Sequence, residues 1–126
     1  MFLNQLYSIL SSDLQDHVAH FSIELNPDHA IFEGHFPDMP ILPGVVQLQI
    51  VKELLQFHLN ALVRVKDMKT CKFLKIINPK EVNTLQIEIK ITAQAEQIET
   101  VVLMKDAENA YLKAQISYTV LSSILS

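Results

Sequence analysis

Apolar and polar residues alternate in three stretches of the chain. Phe21, Ile23 and Leu25 alternate with Ser22 and Glu24; Leu85, Ile87, Ile89 and Ile91 with Gln86, Glu88, Lys90 and Thr92; Leu112, Ala114, Ile116, Tyr118 and Val120 with Lys113, Gln115, Ser117 and Thr119. A period of two places each apolar set on one face, so each stretch predicts a half-buried strand. Residues 96–105 read as another strand, closed by a turn from Asp106 to Asn109, and 70–77 as one that ends at Asn78-Pro79. Short consecutive turns favour an antiparallel meander.

Between the first strand and the rest, the period changes. GVVQLQIVKELLQFHLNAL is rich in helix formers, opens at Pro43-Gly44 and meets no breaker before Arg64, which predicts a helix from 44 to about 61. Its apolar residues cover most of the circumference, so it is largely buried. Gln49, Glu53, Gln56 and Asn60 step by four, three and four and form one polar stripe, facing water, a partner or a site. One buried helix and a meander with one apolar face predict an α+β layer arrangement, a sheet wrapped around the helix. Residues 2–10 are expected to form a short surface helix.

Composition narrows the class. With 126 residues, 49% hydrophobic and 19% charged, the chain can build one core as a single domain over 1–126, and disorder is excluded. No apolar run nears the roughly 18 residues of a membrane span. The first residues lack a basic region and a small-residue cleavage site, so the expectation is a soluble, cytoplasmic protein with no membrane partner. A single cysteine, Cys71, allows no intrachain disulfide. It has no nucleophile motif beside it. His17 and His20, three apart in a strand-like stretch, point to opposite faces; no metal site and no cofactor is expected.

Glycine and proline are concentrated. Both glycines, Gly34 and Gly44, and Pro27, Pro37, Pro40 and Pro43 fall between the first strand and the helix, among Ile31, Phe32, Phe36, Met39, Ile41 and Leu42. An apolar loop braced in this way is packed rather than a linker. Within it, Phe32-Glu33-Gly34-His35-Phe36-Pro37, then Pro40, then Leu42-Pro43-Gly44-Val45, resembles the signature of the 3-hydroxyacyl-acyl-carrier-protein dehydratases of bacterial fatty-acid synthesis. The wording LPGVVQL is similar to the dehydratase-like proteins of aryl-polyene and related pigment pathways. The resemblance implies a hot-dog fold, a dimer whose sites are shared between chains, and a substrate carried on acyl carrier protein as an acyl-phosphopantetheine. It further implies that Phe36, Pro43, Val45 and Leu48 line the acyl site.

Eliminating water from a 3-hydroxyacyl thioester needs a base for the Cα proton, a donor to the enolate oxygen and a proton for the departing hydroxyl. By the resemblance His35 is the catalytic histidine, and neutral imidazole suits the first role. The Gly44 amide suits the second, at a helix start where N–H groups are unpaired. For the third, the family places a carboxylate six residues beyond the proline of P-G. Here that position is Gln49, which cannot transfer a proton, while Glu53 lies one turn further along the stripe. Either His35 does both proton jobs with Gln49 orienting the substrate, or Glu53 supplies the proton, or a partner subunit does. The last makes the chain half of a heterodimer with an acid-bearing paralogue. The same residues also fit a non-catalytic partner subunit or, less well, a thioesterase.

Charge supplies one more expectation. Arg64, Lys66, Lys69, Lys72, Lys75 and Lys80 stand against only Asp67 in that segment, although the whole chain is at -4. Such a patch suits an acidic carrier protein. Overall acidity and the lack of an aromatic-interleaved basic motif count against nucleic acid.

Overall fold

The computed structural model describes residues 1–33 and 40–123. Six strands form one antiparallel sheet: β1 (Tyr7–Gln15), β2 (Val18–Leu25), β3 (Ala61–Phe73), β4 (Thr84–Gln94), β5 (Gln97–Lys105) and β6 (Ala110–Ser123), with the helix α1 (Gly44–Leu59) between β2 and β3. The order across the sheet is β1-β2-β4-β5-β6-β3, so β1 and β3 are its edges. This is the hot-dog arrangement that the patterning and the motif anticipated.

The alternating residues form the core. Phe21, Ile23, Leu85, Ile87, Ile89, Leu112, Ala114, Ile116 and Tyr118 are buried in one cluster with Val46, Ile50, Val51, Leu54 and Leu55 of α1. The helix ends as Asn60 turns left-handed, at φ 53° and ψ 46°, and its amide bonds back to the Gln56 carbonyl. The chain then passes directly into β3, where the Gln56 side-chain oxygen accepts from the Val63 amide at 2.9 Å. The turn at Asp106 forms as expected: its carboxylate accepts from the Glu108 and Asn109 amides at 2.8 Å.

Three expectations change. Residues 2–10 are not a helix: a turn around Phe2–Leu6 leads into β1, with Leu6 and Tyr7 buried. The strand expected over 70–77 instead spans Ala61–Phe73, and its pairing with β6 is interrupted by register shifts at Leu62/Val63, Val65/Asp67 and Met68/Thr70. Each shift resets the inside-outside alternation, so no period of two survives in the sequence there. His17 lies with Asp16 in the β1–β2 turn, both at positive φ, while His20 is on β2. Among the described residues no group of three metal-ligating side chains occurs, and no helix is long and apolar enough to cross a membrane.

Burial also sets an alkaline limit. It pushes the Tyr118 hydroxyl well above the usual tyrosine range. Tyr111, by burial and then by its bond to Asp106, is pushed up to about 12. Below a pH of roughly 10 both the folded and the unfolded chain hold these protons, so the stabilisation is intact. Above it the unfolded chain releases protons that the folded chain retains, and stability falls. Urea midpoints from pH 7 to 11 are expected to be flat to about pH 10 and then to decline, with Tyr118 contributing about 1 kcal/mol per pH unit. Tyr118→Phe should make that decline shallower.

Candidate active site

Pro43 fixes where the helix starts. Its backbone is extended, at φ -62° and ψ 149°, and its carbonyl accepts from the Val46 and Gln47 amides at 3.1 and 3.0 Å. No side chain caps the first turn, and no acid stands in it. Among the described residues the Gly44 and Val45 amides have no acceptor, so α1 presents two N–H groups at its positive end. The preceding loop is held in place by the Leu42 amide, which donates to the Ile77 carbonyl at 2.9 Å.

A cleft of about 410 Å³ opens at this helix start, walled by Ile41, Pro43, Gly44, Phe73 and Ile76, with Gln47 and Lys75 as polar members. The Phe73 ring rests on Gly44: a Cβ there would lie 2.7 Å from its Cζ. The glycine therefore admits the ring, a reason beyond the carbonyl approach expected from sequence. Its φ is not in the left-handed region, so what a side chain here would meet is the Phe73 ring, which would have to move.

Gln47 stands out chemically. It is only 3% exposed, and its side-chain amide donates from Nε2 to the Leu42 carbonyl at 3.1 Å. A carbonyl can only accept, so this bond orients the amide group. Its Oε1 is buried, with no donor among the described residues. Such an acceptor costs about 1–3 kcal/mol when unpaired. Sequence reasoning passed over Gln47 because it lies off the polar stripe, between Val46 and Leu48; the one available signal was an amide inside an apolar run.

The polar stripe is an internal joint. Glu53 is 1% exposed, and its carboxylate accepts from the Phe2 amide at 3.0 Å, the Leu3 amide at 2.9 Å, the Tyr7 hydroxyl at 3.2 Å and Gln49 Nε2 at 3.0 Å. Burial, and then the Glu53 charge and hydrogen bond, hold the Tyr7 hydroxyl far above its ordinary range, so it remains a donor. Glu53 and Gln49 are thus brought together, but neither lines the Gly44 cleft. Of the expected acyl-lining residues, Pro43 and Leu48 are half-buried and Val45 is 75% exposed. His35 and Phe36 lie outside the described residues. Burial raises the Cys71 thiol's pKa, which disfavours the nucleophilic thiolate.

Replacing the Glu53 charge tests the joint. Glu53→Gln removes charge-assisted bonds and turns an amide donor toward other donors, so urea unfolding should show a loss of about 2–3 kcal/mol. Tyr7→Phe should cost about 1 kcal/mol.

A family model described as ApeI-like, ApeI dehydratase, matches residues 11–113. A 3-hydroxyacyl-[acyl-carrier-protein] dehydratase FabZ of Caldanaerobacter subterraneus subsp. tengcongensis is 35% identical over 68 residues, covering 46% of each chain. The protein of the same name from Latilactobacillus sakei subsp. sakei is 30% identical over 84 residues, 61% of this chain and 56% of its own. The chain therefore spans about half the length of the curated relatives it matches. Among solved structures, the dehydratase heterocomplex ApeI:P from Xenorhabdus doucetiae superposes with a TM-score of 0.71 at 24% identity, covering 88% of this chain and 96% of that one. A hypothetical thioesterase with coenzyme A from Streptococcus pneumoniae superposes at 0.65 and 10% identity, covering 93% and 87%. At these identities the structural likeness is one of fold.

Proposed function

The chain belongs to the ApeI-like dehydratase family, and on that premise we propose that it acts on 3-hydroxyacyl thioesters carried by acyl carrier protein, eliminating water to give the 2-enoyl thioester. The observation that carries this reading is the Gly44 amide, unpaired among the described residues at the start of a buried helix, over an apolar cleft. A thioester oxygen placed there receives the amide hydrogen as negative charge develops, stabilised by the helix dipole. His35, by its place in the motif, takes the Cα proton; the C3–O bond breaks, and the hydroxide leaves with a proton as water. Phe36, Pro43, Val45 and Leu48 hold the acyl chain. In this reading the protein works in the cytoplasm, in fatty-acid or aryl-polyene pigment synthesis.

The source of the leaving-group proton separates two versions. With every donor around Glu53 directed at its carboxylate, that residue is occupied as a clamp, and the Gln49 amide is held by it. In the first version His35 returns the proton it took, and Gln49, held by Glu53 outside the cleft, takes no part. In the second, a carboxylate from another subunit supplies it, and this chain is half of a heterodimer, the kind of assembly that the name of the Xenorhabdus doucetiae structure describes. The β3 edge suits such pairing: it is 13 residues long and carries exposed Leu62, Val65 and Phe73.

Turnover of 3-hydroxyacyl carrier protein, followed by enoyl absorbance, decides between them. The first version expects activity from the purified chain alone, reduced about 10²–10⁴-fold in His35→Ala. The second expects an inert chain that gains activity from Gln49→Glu or from a co-purified acid-bearing paralogue. No turnover under any of these conditions overturns the reading.

Carrier-protein docking has its own test. Arg64, Lys66, Lys69, Lys72, Lys75 and Lys80 are all exposed, and Lys75 stands at the cleft. Affinity for acyl carrier protein should fall with added salt, and Lys69→Glu with Lys72→Glu should weaken it about tenfold without moving the melting temperature by more than a few degrees.

A further inference from the structure

We propose that a second cavity, next to the Gly44 cleft, holds the amide-bearing arm that joins the acyl group to its carrier, so that the chain recognises the arm as well as the acyl group. This deepens the dehydratase reading and rests on it.

The arm of an acyl-phosphopantetheine leaves the thioester sulfur as a neutral chain with two amides and a hydroxyl, and it ends in a phosphate. With the thioester oxygen at the Gly44 amide, that chain has to leave the cleft over one of its walls. The wall formed by Lys75 and Ile76 leads to a further space. Both residues also line a cavity of about 400 Å³, walled in addition by Asn78, Val82, Ala107 and Asn109. Both are exposed, and among the described residues their backbone amides and carbonyls have no partner. The crest between the two spaces thus carries open donors and acceptors, the groups that an amide chain crossing it needs.

The chemistry of the second cavity matches the middle of the arm. Its acid Asp106 is already spent, because the carboxylate accepts from the Tyr111 hydroxyl and from the Glu108 and Asn109 amides. Asn78 Oδ1 accepts from the Lys80 amide at 2.9 Å, which leaves the NH2 group of that side chain for a carbonyl. Asn109 brings a second side-chain amide, and Val82 an apolar surface. Glu81 and Glu108 are exposed members of the same wall and outnumber Lys75, so a phosphate is repelled. The cavity suits the neutral part of the arm and leaves the phosphate in solvent.

Saturated acyl thioesters of one chain length, which have no hydroxyl to eliminate, are titrated calorimetrically into the full chain on three handles. These are N-acetylcysteamine with one amide, pantetheine with two, and phosphopantetheine. Pantetheine should bind about tenfold tighter than N-acetylcysteamine, and the phosphate should change that by less than about twofold. Filling the cavity with Ala107→Trp should bring the pantetheine ligand to within about twofold of the short one, and Asn109→Ala should remove about threefold of the gain. Equal affinity for one and two amides in the parent overturns the inference and leaves the dehydratase reading intact. So does a gain that survives Ala107→Trp, which routes the arm over another wall, or one that arrives only with the phosphate, which assigns the arm to the lysines. If no thioester binds, the dehydratase reading falls as well. Should Ala107→Trp lose its circular dichroism signature, Asn109→Ala and the three handles on the parent decide.

Discussion

A helix packed against its own sheet must have the polar groups of its buried face answered from within, because little water reaches them. On α1 this requirement is met at three side chains, two of them by partners outside the helix. Gln56 receives the Val63 amide, Gln49 donates to Glu53, and Glu53 gathers the Phe2 and Leu3 amides with the Tyr7 hydroxyl. These bonds join the helix to the start of the chain and to β3. Gln47 is answered on one side only, at Leu42. Its oxygen is left over at the mouth of the helix, where the Gly44 amide is also unspent.

What the sequence disclosed follows from whether its signal was local. β2, β4, β5 and β6 were legible because each keeps a run of intact alternation: β4 and β5 pair without interruption from Gln86↔Lys105 to Gln94↔Gln97, and β5 and β6 shift only at Met104/Lys105. The first half of β3 was not, since three register shifts break the pattern that would have revealed it. The opening residues were misread because what holds them is a carboxylate some fifty positions away. At the site, the motif pointed to His35 and to the helix start at Gly44. It was silent on the unpaired oxygen of Gln47, whose neighbours in sequence made it look like part of a greasy run.

The placing of Gln49 at the family's acid position and of Glu53 one turn on takes on a different meaning once their surroundings are known. On sequence alone, a carboxylate one turn along the helix invites the idea that an acid has been moved. In the folded chain it binds the N-terminal turn and holds Gln49 as well. Charge at position 53 is tied to how the chain is assembled, and the amide at position 49 is tied to that charge.

The contact between Gly44 and Phe73 couples two features that a protein engineer would prefer to vary separately. One residue carries an amide that faces the cleft, and the other closes the strand at the sheet's border. A side chain added at position 44 would have to displace the ring at position 73, and trimming that ring would uncover the start of the helix. The width of the cleft and the footing of the helix start meet in one pair of side-by-side residues, so a change at either position is felt at the other.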